Sequence, residues 1–159
     1  MNYYDSISDG YDELHKEEQF RKMQIISNEL KLEPDDYLLD VGCGSGFSLD
    51  FWGCKRIGID PSKELLKKCE SPTKQGVAED LPFKDNEFDI VTCVSAIHNC
   101  SDFSKALDEI KRVGKNKFVI TLFKKGDKEK VSEIKKLIND KFEVEKVIED
   151  THDTIYFCK

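Results

Sequence analysis

Apolar residues recur at two distinct periods along this chain, and the alternation between them sets out its architecture. Met23, Ile26 and Leu30 stand three and four apart, which predicts a helix from Leu14 to Leu32 that ends at Glu33-Pro34-Asp35-Asp36. A strand follows over Tyr37–Val41 and runs directly into the glycine-rich segment Gly42-Cys43-Gly44-Ser45-Gly46. Beyond a short helical stretch of Phe47 to Gly53, a second strand is expected over Arg56–Asp60, then a helix in PSKELLKK with Ser62 as its cap, then a short strand over Lys74–Ala78. Phe88 to Val94 is an apolar, β-branched run of the buried-strand type. The next helix carries Phe103, Ala106, Leu107, Ile110 and Val113 on one face and stops at Gly114. A strand over Phe118–Phe123 is followed by a helix marked by Val131, Ile134, Leu137 and Ile138. The last two strands, Phe142–Ile148 and Thr154–Cys158, are joined only by polar residues, so they form an antiparallel hairpin. The expectation is a single α/β domain over residues 1–159, with a doubly wound, mostly parallel sheet of seven strands and one reversed strand in the C-terminal hairpin.

The chemistry concentrates where the first strand meets the glycines. In a sheet of this kind a nucleoside-type ligand binds beyond the carboxyl ends of the strands, where the first strand turns into the segment after it. Gly42, Gly44 and Gly46 let the backbone pass close beneath such a ligand. Asp60, at the end of the second strand, can accept hydrogen bonds from both hydroxyls of a ribose. A nicotinamide dinucleotide site would need glycine at position 47, which is Phe47, and Gly46 comes one residue early for it. Asp40 would also repel a pyrophosphate, whereas it attracts an ammonium group. No Gly-Lys-Ser/Thr sequence is present for a P-loop.

Composition narrows the remaining classes. The 159 residues are 38% hydrophobic and 36% charged, as in a globular domain, and no apolar run is long enough to span a bilayer, so a cytoplasmic location without membrane attachment is expected. Six cysteines lack the spacing of a zinc site or of a secreted disulfide framework and are read as reduced thiols, with no metal expected. The net charge of −7 argues against autonomous tight binding to nucleic acid. The lysines between Lys111 and Lys146 do not change this, because Glu129, Glu133, Asp140, Glu143 and Glu145 are interleaved with them.

VGCGSG, GIDPS, GVAEDLPFKDNEFD and IVTCVSAIH, in this order, resemble the successive motifs of class I S-adenosylmethionine-dependent methyltransferases, nearest to the type 11 group. The resemblance covers about residues 3 to 125 and implies a Rossmann-like methyltransferase fold with S-adenosyl-L-methionine as cofactor. It implies that Asp40, Gly42, Gly44 and Gly46 line the methionine and adenosine groove, and that Asp60 binds the ribose. It further implies that Ala78 and Glu79 edge the adenine, Ser95 faces the sulfonium end, and Tyr11 belongs to a lid segment over residues 1–13. Many relatives have aspartate where this chain has Val77, so adenine recognition here falls to backbone groups, Glu79 or Asp80.

His98, just after the fourth strand, is the candidate catalytic base, since its ordinary pKa suits proton removal from an oxygen, nitrogen or acidic carbon. The Asn/Asp-Pro-Pro-Tyr/Phe motif of glutamine-amide and adenine-amino methyltransferases is missing there. No sizeable insertion encloses a small substrate, which favours an RNA (tRNA) or protein acceptor, with a small activator subunit as possible partner on family precedent. A quinone-biosynthesis type of small-molecule acceptor, and a non-catalytic cofactor-binding subunit, are the alternatives.

Overall fold

The computed structural model describes the backbone of residues 9–159 and the side chains of residues 15–159. The chain divides into two compact units, one holding the first helix and the other, Leu32–Lys159, holding the sheet. Helix α1 spans Asp9–Glu29. It begins five residues before the expected start at Leu14, so the end of the segment read as a lid arm is helical, and residues 1–8 lie outside the described ones. The periodic apolar positions that located this helix begin only at Met23, which is why the pattern misplaced its start.

Seven strands form one sheet in the order β3-β2-β1-β4-β5-β7-β6. They are β1 (Tyr37–Val41), β2 (Lys55–Asp60), β3 (Thr73–Gln75), β4 (Ile90–Cys93), β5 (Phe118–Phe123), β6 (Val144–Glu149) and β7 (Asp153–Cys158). All neighbours from β3 to β5 are parallel, and β7 is antiparallel to both β5 and β6, so the reversed strand is the last one. This is the Rossmann-like arrangement the sequence implies. Because the order turns back at β1, right-handed crossovers put α2 (Lys63–Leu66) on one face and α3 (Phe103–Val113) with α4 (Lys128–Lys141) on the other.

The largest core lies between the sheet and the α3/α4 pair. Leu39, Val41, Val91, Cys93, Ile120 and Tyr156 from the strands meet Ala106, Leu107, Ile110, Ile134 and Ile138 from the helices. The face expected on α3 is thus the buried one, except that Phe103 is only partly covered. α2, α3 and α4 each start on a side-chain cap: Ser62 Oγ accepts from Leu65 N–H at 3.2 Å, and Asp102 and Asp127 each accept from the N–H three residues on at 3.0 Å. Gly114 ends α3 for a different reason than a left-handed turn, since its φ is −99°. A Cβ there would stand 2.4 Å from Phe118 Cε1 and 2.8 Å from Val91 Cγ2, so packing against β4 and β5 requires the glycine.

Two crossovers are shorter than the architecture usually has. The segment between β1 and β2 holds only a 3₁₀ turn, Leu49–Phe51, where a short helix over Phe47 to Gly53 was expected. Between β3 and β4 no helix forms. That link is fastened instead by Arg112 of α3, whose guanidinium donates to Leu81 O at 2.9 Å, Phe83 O at 2.8 Å and Asp85 Oδ1 at 2.8 Å and pairs with Glu109. Among the described residues, no helix is long and apolar enough to cross a membrane.

Candidate active site

The glycine loop is hooked onto the end of β2 by its backbone. Gly42 N–H and Cys43 N–H both donate to Ile59 O, at 2.8 and 3.1 Å, which brings the loop beside Asp60. All three glycines have positive φ, +77° at Gly42, +56° at Gly44 and +92° at Gly46, yet their surroundings differ. A Cβ on Gly42 would lie 2.4 Å from Ala96 Cβ, and one on Gly46 would lie 2.9 Å from Cys69 Sγ. Among the described residues, a Cβ on Gly44 would meet only Leu65 Cδ1, at 4.0 Å. Two of the glycines are therefore demanded by the protein's own packing, while the third has no close neighbour among the described residues and leaves room there for a ligand.

The two aspartates do different work. Asp60 Oδ2 accepts from Gly44 N–H at 3.0 Å and Oδ1 accepts from Ser62 N–H at 2.8 Å, so the carboxylate is oriented by backbone at the loop's rim. An ionised carboxylate has about four acceptor positions, and each of its oxygens keeps capacity for a further hydroxyl. Asp40 lies beneath the loop, fully buried, with Oδ2 accepting from Ser48 Oγ at 2.5 Å and Oδ1 from Thr92 Oγ1 at 2.9 Å. Burial pushes its pKa up to about 6; the two hydroxyls work against that shift, and the charge of Asp60 adds to it. Ser48 and Thr92 were not singled out from sequence, because a lone hydroxyl residue after a loop or in a strand carries no spacing signal.

Ala78 is partly buried against the main core, and Glu79 Oε2 accepts from Ser101 N–H at 3.2 Å, tying the segment after β3 to the loop before α3. Val77 is exposed. Ser95 follows β4 with φ +56°, a left-handed conformation unusual for a residue with a Cβ, and its N–H donates to the buried Thr121 Oγ1 at 2.8 Å. The chain therefore turns sharply there, and Ala96 is delivered against Gly42.

His98 lies in the 3₁₀ turn Ile97–Asn99 just beyond, with its ring 6.1 Å from that of Phe123 at the end of β5. Its carbonyl accepts from Lys130 Nζ of α4. Asp40, Gly42, Gly44, Gly46, Asp60, Ser95 and His98 thus all stand at the carboxyl end of the parallel strands or in the turns just past it. The side chain of Tyr11 lies outside the described residues, although position 11 falls within α1. Among the described residues, no three His, Cys, Asp or Glu side chains converge as metal ligands.

Residues 39–120, just over half of the chain, match a family described as a methyltransferase domain. The chain is 36% identical over 121 residues to the uncharacterized protein MJ1252 of Methanocaldococcus jannaschii, covering 72% of this chain and 47% of that protein. It is 32% identical over 128 residues to the demethylmenaquinone methyltransferase of Staphylococcus carnosus, covering 69% of this chain and 53% of that one. It therefore spans about half the length of these relatives. Among solved structures, a chain from the complex between the Trm112 methyltransferase activator of Haloferax volcanii and a methyltransferase superposes with a TM-score of 0.77. That match is 18% identical in sequence and covers 94% of this chain and 93% of that one, a likeness of fold.

Proposed function

The chain belongs to the methyltransferase domain family, and from that premise we propose that it transfers the methyl group of S-adenosylmethionine to an acceptor held beside the end of β4. The observation that carries this most is the space over Gly44, where among the described residues only Leu65 Cδ1 comes as near as 4.0 Å to a Cβ position, next to a carboxylate oriented by Gly44 N–H itself. Bound there, S-adenosylmethionine supplies an activated sulfonium methyl group. Asp60 takes the ribose hydroxyls on the remaining lone pairs of its two oxygens. Asp40, whose oxygens are both engaged by hydroxyls, draws the methionine ammonium by its field from below the loop and does not need to touch it. Ala78 and Glu79 border the adenine, Ser95 the sulfonium end, and Tyr11 belongs to the covering segment. His98 accepts the acceptor's proton, and Lys130 holds the backbone of that turn in place.

For the acceptor, RNA or protein is favoured over a small molecule. The support is that the described crossovers carry no insertion that could enclose a small substrate, and the link from β1 to β2 is a single 3₁₀ turn. The likeness to a fold solved with the Trm112 activator supports a small activator subunit as partner. The relationship to a demethylmenaquinone methyltransferase supports a second reading, a quinone-type acceptor. Incubation with methyl-labelled cofactor and cell extract, fractionated into RNA, protein and small molecules, tests these against each other. Label in RNA or protein is the expected result, label in the lipid-soluble fraction would favour the quinone, and no label in any fraction would make the chain a non-catalytic subunit.

A further inference from the structure

Cys43 stands in the centre of the glycine loop and Cys69 three residues beyond α2. They converge on one carbonyl: Cys69 Sγ donates to Gly44 O at 3.3 Å, and Cys43 Sγ lies 3.9 Å from the same oxygen. Cys43 is buried, with its sulfur packed against the backbone of Gly58, while Cys69 is only partly covered and packs against Gly46. Among the six cysteines, all free thiols, this pair spans the loop that forms the proposed cofactor site.

We propose that Cys43 and Cys69 form a reversible disulfide, made by exchange with a small-molecule disulfide, which ties the glycine loop to the end of α2 and weakens cofactor binding; the second half of this rests on the function proposed above. The more accessible Cys69 thiolate attacks one sulfur of oxidised glutathione, breaking its S–S bond and releasing one glutathione thiolate. The Cys43 thiolate then attacks Cys69 in the mixed disulfide, forming the protein S–S bond and releasing the second glutathione. Two protein thiols are oxidised by two electrons, one glutathione disulfide is reduced to two thiols, and the two protons lost by the cysteines pass to the released thiolates. Burial and the carboxylates of Asp40 and Asp60 disfavour both protein thiolates, with Asp50 adding to this at Cys69, so exchange is slow. In the product Cys69 no longer donates to Gly44 O, and a covalent S–S distance of about 2 Å draws Cys43 toward α2. The Gly44 peptide, whose N–H orients Asp60, moves with it.

The test is oxidation of the full chain with excess glutathione disulfide, peptide mapping by mass spectrometry, and calorimetric titration with S-adenosylhomocysteine before and after. The expected result is a Cys43–Cys69 crosslinked peptide and an affinity lower by about tenfold, comparable to one lost charged hydrogen bond, restored by dithiothreitol. In Cys69→Ser, whose hydroxyl still donates, affinity should not respond to the oxidant. No crosslinked peptide, or a glutathione adduct that stays on Cys69, overturns the proposal, as does a crosslink that leaves affinity unchanged. Failure of the reduced protein to bind S-adenosylhomocysteine counts instead against the proposed function, because the peptide map reads the disulfide independently of it.

Discussion

Within the glycine loop, positive φ is common to three residues, but the reason for it is not. At Gly42 an alanine has both a left-handed backbone and a Cβ 2.4 Å from that of Ala96, so Gly42→Ala should cost about 2–4 kcal/mol, strain and overpacking together. Gly44→Ala has open space and should cost only about 1–2 kcal/mol for its backbone, yet it should lose at least tenfold in cofactor affinity because the methyl enters the cradle. Thermal denaturation and calorimetry of the two variants separate these roles; equal effects on both readouts would show that Gly42 and Gly44 act alike. Asp40 gives a second prediction. Its native pKa of about 6 exceeds the roughly 3.9 of an unfolded aspartate, so the native state holds a proton that the unfolded chain has released between those values. Its contribution is therefore most favourable below about pH 4 and is lost as pH rises to 6, by on the order of 3 kcal/mol. Asp40→Asn removes that slope. The difference in denaturant midpoint between wild type and variant, followed from pH 4 to 7, should change in the variant's favour; a pH-independent difference would mean that the carboxyl titrates normally.

At the scale of elements, the helix and strand periods in the sequence already contain the sheet. α3 and α4 were legible because their buried residues fall on one face, and β1, β4 and β5 because they are short, mostly apolar runs interrupted only by Asp40, Thr92 and Thr121. The turn after the glycine loop was not, because the eight residues between Gly46 and β2 fit either a short helix or the 3₁₀ turn observed. Nor was the Arg112 clamp, which joins residues about thirty positions apart with no sequence periodicity to mark it. Arg112→Met should destabilise the protein by about 1–2 kcal/mol, a figure lowered by the partial exposure of the guanidinium, and speed amide exchange in residues 81–89 more than elsewhere. Uniform exchange across the sheet would show that Arg112 holds no particular segment. The 3₁₀ turn with His98 is held by Lys130 of α4 and by the bond from Ser95 to Thr121 nearby. Once an acceptor is found, His98→Ala should leave cofactor affinity nearly intact and lower turnover by about 10²–10⁴-fold. A joint loss of stability and affinity, with the pH dependence of turnover retained, would instead make His98 a residue that orders the turn.

For the whole molecule, the parallel half of the sheet gathers Asp40, the glycine loop, Asp60, Ser95 and His98 at one end, and that gathering follows from strand direction and not from any single motif. The proposal of a nucleoside groove rests on two features together: an acid beneath the loop that favours a cation, and glycine spacing that lacks the third glycine of a dinucleotide fingerprint. The direct test is calorimetric titration of the reduced protein with S-adenosylhomocysteine and, in parallel, with NAD. Saturable binding of S-adenosylhomocysteine at one site, with NAD far weaker or silent, is the predicted result. Binding of NAD with no response to S-adenosylhomocysteine or S-adenosylmethionine would contradict it.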